Sequence, residues 1–351
     1  MLGGLEEKLG KILGSFPIDV NSTDRVDLGG LRDDTRLYKI SLDSPLLPKT
    51  HGFKALYTLD TPSGEAIACH PHIVGAPLWK LSLESAQEFR AAAEGLGLFD
   101  EGSTAILHVL RGGSGYQLAE VFPSGVPILN IRTEYFEDGY RAHSDSGKRI
   151  RIAFNDHPDV HDLDGLSTLI VPDTFATGRS AEAALTELFE SGLILDRVVL
   201  YGFTAIPALV RVGAVCSEYG AGAHSFSICD LTQLASNNYD MPMYGVDESL
   251  HSSSGEFRGL GSVVDRETLL SLLPRYVAGM DQPGDWSERQ ETLFTGAGYV
   301  EGDIPGHLRR SASLIESLRK INRSQPGYDA DHDGIAVEEL GQIRSTLRKY
   351  E

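Results

Sequence analysis

Between Thr104 and Ala205 the chain alternates two patterns. The runs TAILHVL, VPILNI, STLIVP and DRVVLYGFTA are short and dominated by apolar and β-branched residues, as expected of strands buried on both faces. SLESAQEFRAAAEGLGL precedes the first run and SAEAALTELFESG separates the third from the fourth, both with apolar residues at helical spacing. A tight hairpin cannot join parallel strands, whereas a helical crossover can, so this alternation predicts an α/β fold: a mostly parallel sheet flanked by helices. In such sheets ligands bind beyond the carboxyl ends of the strands. The loops that follow these runs are therefore the first place to look for chemistry.

One loop stands out. In LIVPDTFATGRS, Leu169 to Ser180, an apolar strand breaks at Pro172 and Asp173, and a helix is expected to begin at Ala181 and stop at Gly192. Backbone N–H groups, the hydroxyls of Thr174, Thr177 and Ser180, and the positive end of the helix dipole would converge on one point, which suits a phosphate monoester. Gly178 permits a close backbone approach. An ordinary strand, turn and helix capped by Ser180 fits the same letters. No lysine follows the glycine as in a Walker loop, so a nucleoside triphosphate cradle is not indicated. Asp173 would repel a bare anion, but a sugar phosphate presents both a phosphate and neutral hydroxyls, and the latter suit a carboxylate.

Composition limits the partners. With 31 Lys and Arg against 50 Asp and Glu, the formal charge of -19 argues against general affinity for nucleic acid or anionic lipid. At 351 residues and 41% hydrophobic content, the chain can form one large domain with extensions or two domains. Cys69, Cys216 and Cys229 are odd in number and far apart, which predicts buried thiols in a reducing compartment. No apolar run approaches the roughly 18 residues of a membrane span, and the expected location is cytoplasmic. Leu2, Leu5, Leu9, Ile12 and Leu13 predict a short amphipathic helix that docks onto the body or a second subunit.

The loop at Asp173 resembles the phosphoribosyl diphosphate (PRPP) loop of type I phosphoribosyltransferases, and other segments resemble the uracil phosphoribosyltransferase family. HPHIVGAPLWKLSLESAQEFRAAAEGLGL (His70 to Leu98) is similar to the family's His-Pro segment and following helix. VLRGGSG (Val109 to Gly115) resembles its diphosphate loop. ILNIRTEYFEDGYRAH (Ile128 to His143) resembles the strand and mobile hood that begin with an arginine, here Arg132. DESLHSSSGEFRGLGSVVDR (Asp247 to Arg266) lies without a gap on the base-binding segment.

The resemblance implies a PRPP site of Asp173, Thr174, Ala176, Thr177, Gly178, Arg179, Ser180, Arg111, Gly112 and Gly113, with Asp173, Arg111 and Arg132 serving catalysis. It implies a base site of Glu256, Phe257, Arg258, Gly259, Gly261, Ser262 and Asp265. It further implies Mg2+, held in part by Asp173 through the ribose hydroxyls, and a homodimer. The chain departs from the family where Pro172 and Asp173 replace Asp-Pro, where Arg179 replaces the loop's second glycine, and where Gly255, Glu256, Phe257, Arg258 and Ser262 replace the residues around the base. The implied organisation is an N-terminal extension over 1–60, a transferase domain over 61–266 and a mostly helical extension over 267–351. The expected activity is transfer of ribose 5-phosphate from PRPP to uracil or a related heterocycle. A PRPP- or nucleotide-binding regulatory protein is the alternative.

Other features are less directive. DADHDG (Asp329 to Gly334) begins like a calcium loop but carries Leu340 at the twelfth position, where the loop needs Glu. HPH and NDHPDVHD lack the spacing of a zinc site. Lys148, Arg149 and Arg151 in GKRIRI suit either a solvated hairpin or a cationic lid.

Overall fold

A computed structural model of the chain describes residues 2–49, 52–135, 150–156, 163, 165–249, 258–325, 328 and 330–351. The alternation forms the expected sheet. Its strands are β1 (Thr23–Arg25), β2 (Arg36–Ile40), β3 (Phe53–Asp60), β4 (Thr104–Leu110), β5 (Ile128–Tyr135), β6 (Ile150–Asn155), β7 (Thr168–Pro172), β8 (Arg197–Ala205) and β9 (Gly222–Thr232), in spatial order β1-β2-β3-β9-β8-β7-β4-β5-β6. From β3 to β5 across this order every pairing is parallel. The outer pairs β1–β2, β2–β3 and β5–β6 are antiparallel. Strands of the first sixty residues, expected as an extension, thus belong to the same sheet.

Helices cover both faces. The α-helices are α1 (Leu2–Ser15), α2 (Pro62–Cys69), α3 (Ala76–Gly95), α4 (Leu118–Val121), α5 (Arg179–Glu190), α6 (Ile206–Glu218), α7 (Arg266–Leu272), α8 (Ile304–Asn322) and α9 (Ala330–Leu347). Period-2 alternation along β8 sends Val199, Tyr201 and Phe203 into one core with Phe89 of α3, and Val198 and Leu200 into the other with Leu185 of α5 and Leu209 of α6. Phe89 stacks on Tyr201 at 4.3 Å between ring centroids and meets Phe226 edge-on at 5.2 Å. Each such side chain contributes roughly 1.5–3 kcal/mol by leaving water. This two-sided burial explains why the strands read as continuous apolar runs.

Smaller elements complete the chain. β10 (Gly245–Val246) pairs with β11 (Gly259–Leu260), β12 (Ser262–Val264) adds antiparallel to β9, and β13 (Thr292–Phe294) pairs with β14 (Tyr299–Glu301). In α1, Leu9 and Ile12 are buried and Glu6 accepts a bond from Arg266. In the tail, Leu308 and Ile315 of α8 share a core with Leu340 and Ile343 of α9. All three cysteines are buried and unpaired, as expected. No helix among the described residues is long and apolar enough to cross a membrane.

Two local expectations change. The helix after the Asp173 loop starts at Arg179, two residues early, and Ser180 lies inside it rather than capping it. The segment resembling a calcium loop is helical from Ala330, and Asp333 accepts bonds at 2.9 and 3.0 Å from Arg319 instead of lying in a cation loop. Asp329 lies outside the described residues.

Candidate functional site

The sheet order creates a crevice. From β4 the chain passes to β5 on one side and later returns to β7 on the other, so the connections diverge at the carboxyl ends of β4 and β7. Divergence at this point leaves a gap that neighbouring loops cannot fill, the usual ligand position in such sheets. A cavity of about 510 Å³ lies there, lined by Arg111 and Gly112 after β4 and by Asp173 to Ala181 after β7.

The loop after β7 is built by continued pairing. Beyond Pro172, Asp173 N–H donates to Tyr201 O at 3.0 Å, Phe175 N–H to Phe203 O at 2.8 Å, and Ala205 N–H to Phe175 O at 2.8 Å. The loop therefore follows β8 as far as the buried Phe175 before it turns. Gly178 makes the turn at φ +77° as the N-cap of α5, and no side chain bonds that cap. Arg179, Ser180 and Ala181 of the first turn of α5 line the cavity, at the positive end of the helix dipole. A Cβ on Gly178 would lie 2.8 Å from the Ala208 Cα. Gly178→Ala is expected to cost roughly 1–3 kcal/mol from strain at this positive φ together with the clash, measured by urea denaturation; a loss under about 0.5 kcal/mol would show that the turn relaxes freely.

Asp173 sits where the two loops meet. Its Oδ1 accepts the Thr174 N–H at 2.8 Å, and a Cβ on Gly112 would lie 3.0 Å from the same oxygen. Burial pushes its carboxyl up to about 7, opposed by the Thr174 amide. Near neutral pH this group can hold or release a proton. Thr174 Oγ1 lies 2.6 Å from the Tyr116 hydroxyl.

The opposite wall comes from the C-terminal tail. Trp286 donates from Nε1 to Gly112 O at 3.1 Å and stacks on Tyr116 at 4.4 Å between centroids. Arg111 donates to Glu288 at 2.9 Å, and the other Glu288 oxygen accepts the Asp303 N–H at 2.7 Å. Arg310 donates to Asp285 at 2.6 Å and lies 3.6 Å from Asp303. Burial opposes ionisation of Asp285, but His307 and Arg310 outweigh it and hold the carboxyl well below its ordinary range. Asp281 is pushed up by burial and by the neighbouring Asp240, and accepts the Met241 N–H at 2.8 Å. Acids and guanidinium groups thus interleave around the cavity.

Of the residues singled out in the sequence, Arg111, Gly112, Asp173, Thr174, Ala176, Thr177, Gly178, Arg179 and Ser180 line this one cavity. Gly113 lies behind it, where a Cβ would meet Pro172 O at 2.8 Å. Arg132 sits across from Leu110 in the β4–β5 register but turns its guanidinium to Glu134 at 2.8 Å, and Arg151 of β6 reaches the same carboxylate at 3.1 Å. Lys148, Arg149, Gly255, Glu256 and Phe257 lie outside the described residues.

The rest of the expected base segment lies off the cavity lining. Arg258 donates to Leu234 O at 3.2 Å, Gly259 pairs with Val246, and Ser262 is buried in register with Thr232. Gly261 packs so tightly on Pro17 that a Cβ would lie 2.0 Å from its carbonyl oxygen. Asp265 caps α7, accepting Glu267 N–H at 2.8 Å and the Thr23 hydroxyl at 2.9 Å. Sequence reasoning missed Trp286, Asp285, Glu288, Asp303 and Arg310, which lie more than one hundred residues beyond the loop. For Asp285, Trp286 and Glu288 the only local signal is an indole among acids and turn residues in DQPGDWSER; Asp303 and Arg310 lie beyond that stretch.

No protein-family model matches the chain, and no curated protein is detectably similar to it. Among solved structures it is similar to the AQ2163 protein from Aquifex aeolicus, at 14% identity over 51% of this chain and 86% of that one, with a TM-score of 0.38. It is similar to a purine phosphoribosyltransferase from Pyrococcus horikoshii, at 15% identity over 43% and 79% of the two chains, with a TM-score of 0.25. It is also similar to an adenine phosphoribosyl transferase from Trypanosoma brucei, solved with AMP, pyrophosphate and ribose-5-phosphate, at 13% identity over 49% and 82%, with a TM-score of 0.31.

Proposed function

We propose that the cavity binds PRPP and that the chain transfers its ribose 5-phosphate to a ring nitrogen of uracil or a related heterocycle, releasing diphosphate. One observation carries this reading: a helix N-terminus that begins at a glycine and a carboxylate face one cavity at the point where the sheet order diverges. The amides at the start of α5, with Thr177 and Ser180, take the 5-phosphate. Asp173 takes the ribose hydroxyls. Arg111 draws on the diphosphate, and Arg132, one strand away, joins it by turning from Glu134. Charge separates as the anomeric carbon loses diphosphate, so stabilisation of the leaving group is the main catalytic demand.

Asp173, Asp285 and Glu288 line the cavity with carboxylates, the hard oxygen donors that Mg2+ takes together with phosphate oxygens and water. When bound, Mg2+ would neutralise diphosphate charge. The acceptor is proposed to be read by Glu256 and Phe257, outside the described residues, where a carboxylate beside an aromatic face favours a ring more polar than uracil.

A second reading, a PRPP- or nucleotide-binding regulator, is favoured by the engagement of Arg111 with Glu288 and of Arg310 with Asp285, since these pairs must open to serve an anion. Release of diphosphate across a panel of bases separates the readings: a transferase turns over with at least one, a regulator binds PRPP and releases almost none. In either case Arg111→Ala should weaken PRPP by roughly 10- to 100-fold, the loss of a charge-assisted bond, and ribose 5-phosphate much less. Equal losses for both ligands would make Arg111 structural.

A further inference from the structure

His70 and His72 flank Pro71 in the loop after α2, and both face one carboxylate of the distant α9. His70 Nδ1 lies 2.9 Å from Glu339 Oε2, and His72 Nδ1 lies 2.7 Å from Glu339 Oε1. Glu339 is only 3% exposed, and both rings are partly exposed. The loop is held from behind. His307 Nε2 donates to Pro71 O at 2.9 Å, and the buried Arg289 guanidinium donates to His70 O at 3.1 Å and to Ile73 O at 3.0 Å. The three side chains are thus brought to one point by backbone that is itself fixed.

The two rings stand at the separation a shared ion requires, while each ring contacts the carboxylate at hydrogen-bond length. Metal–nitrogen bonds of about 2 Å put each imidazole centroid about 3.2 Å from a shared ion, and tetrahedral angles then separate two such centroids by about 5 Å. The His70 and His72 centroids are 5.3 Å apart. Donors on one such ion stand about 3.3 Å apart, so the present contacts need to open by about half an ångström. Two imidazoles and a carboxylate form a set that borderline dications take with a fourth position left to water.

We infer that His70, His72 and Glu339 form a site for a Zn2+-type dication, bound through both Nδ1 atoms and the carboxylate with water completing the shell. Binding requires each Nδ1 to be free of hydrogen, so a neutral ring that bridges to the carboxylate through Nδ1–H carries its proton on Nε2 instead. The ion fastens α9 to the loop between α2 and α3. The spacing of HPH conceals this because the third ligand lies 267 residues from His72.

Titration of the full chain with Zn2+ against a chromogenic chelator tests the site, with Co2+ absorption reporting coordination. One equivalent per chain is expected, with a visible Co2+ spectrum of low coordination number and a rise in Tm on adding Zn2+. His72→Ala and Glu339→Gln should each weaken binding by roughly tenfold or more and lose the Tm response. Glu339→Gln keeps the side-chain shape and one acceptor, and far-UV circular dichroism identifies a variant that fails to fold; His72→Asn then replaces it. The inference is overturned if the wild-type chain binds no stoichiometric Zn2+, or if wild type and folded variants bind it equally. A lower Tm in the variants without Zn2+ binding by the wild type marks the cluster as a hydrogen-bonded bridge alone.

Discussion

Asp173→Asn is expected to stabilise the folded chain at pH 8, leave it nearly unchanged at pH 4, and lose most of its affinity for a sugar phosphate. Burial holds the carboxyl at about 7 against a reference of 3.8, so the folded state keeps a proton that the unfolded state gives up first. Well below 3.8 the group is protonated in both states and contributes nothing, and at pH 4 its contribution is still small. As pH rises from about 4 to 7 the unfolded chain gains from ionisation while the folded chain does not, and the penalty persists above pH 7. Holding the carboxyl at about 7 instead of 3.8 corresponds to roughly 4 kcal/mol, and partial contact with cavity water reduces this to about 1–3 kcal/mol.

Asparagine keeps an oxygen to accept the Thr174 N–H and carries no charge, so the penalty disappears while the loop persists. The same substitution removes the acceptor best suited to ribose hydroxyls, and PRPP affinity should fall roughly tenfold or more. Urea denaturation at the two pH values and titration with PRPP report the two halves separately. A stability difference equal at pH 4 and pH 8 would refute the buried-charge account; undiminished PRPP affinity would refute the ribose role alone. A residue that destabilises the fold where it faces a ligand cavity is the kind of compromise function imposes.

How much of this was legible depends on the range of the interactions. β4, β7 and β8 announce themselves because strands buried on both faces need unbroken apolar runs, and the order of strand, loop at Asp173, turn at Gly178 and helix is legible because these are contiguous. The start of α5 differs because Gly178, not Ser180, adopts the capping conformation; the backbone itself makes the turn and no hydroxyl is needed. The opposite wall of the cavity was not legible. Trp286 gains its meaning from the Gly112 carbonyl and the Tyr116 ring, which the chain reaches only after crossing the sheet. For the same reason Asp265 reads as a site residue from its neighbours, yet it serves as a helix cap fixed by Thr23.

The largest loss of stability is expected from Arg289→Met. Its side chain is fully buried and forms no ion pair within contact distance among the described residues. Its guanidinium is instead spread over backbone carbonyls: Nη1 donates to Pro283 O at 2.8 Å and Ile67 O at 3.4 Å, Nη2 to Ile73 O at 3.0 Å and His70 O at 3.1 Å, and Nε to Ile73 O at 3.2 Å. Burial draws its pKa down to about 10, resisted by the charges of Glu339 and Asp281, so it remains cationic at neutral pH. Methionine fills similar space but donates nothing, leaving those carbonyls buried and unsatisfied, at a cost of about 3–5 kcal/mol.

Lysine should recover only part of this, because an ammonium has three donors and no planar fork. Urea midpoints of the wild type and both variants test the order. A loss below about 1 kcal/mol for methionine would mean that water replaces the guanidinium. The consequence extends to the cavity, because this one side chain ties the loop of His70 to Pro283, three residues before Trp286. Under conditions where Arg289→Lys still folds, its PRPP affinity should therefore fall as well. Intact affinity in that variant would show that Trp286 and Glu288 are positioned by Tyr116 and Asp303 without help from the far side of the loop.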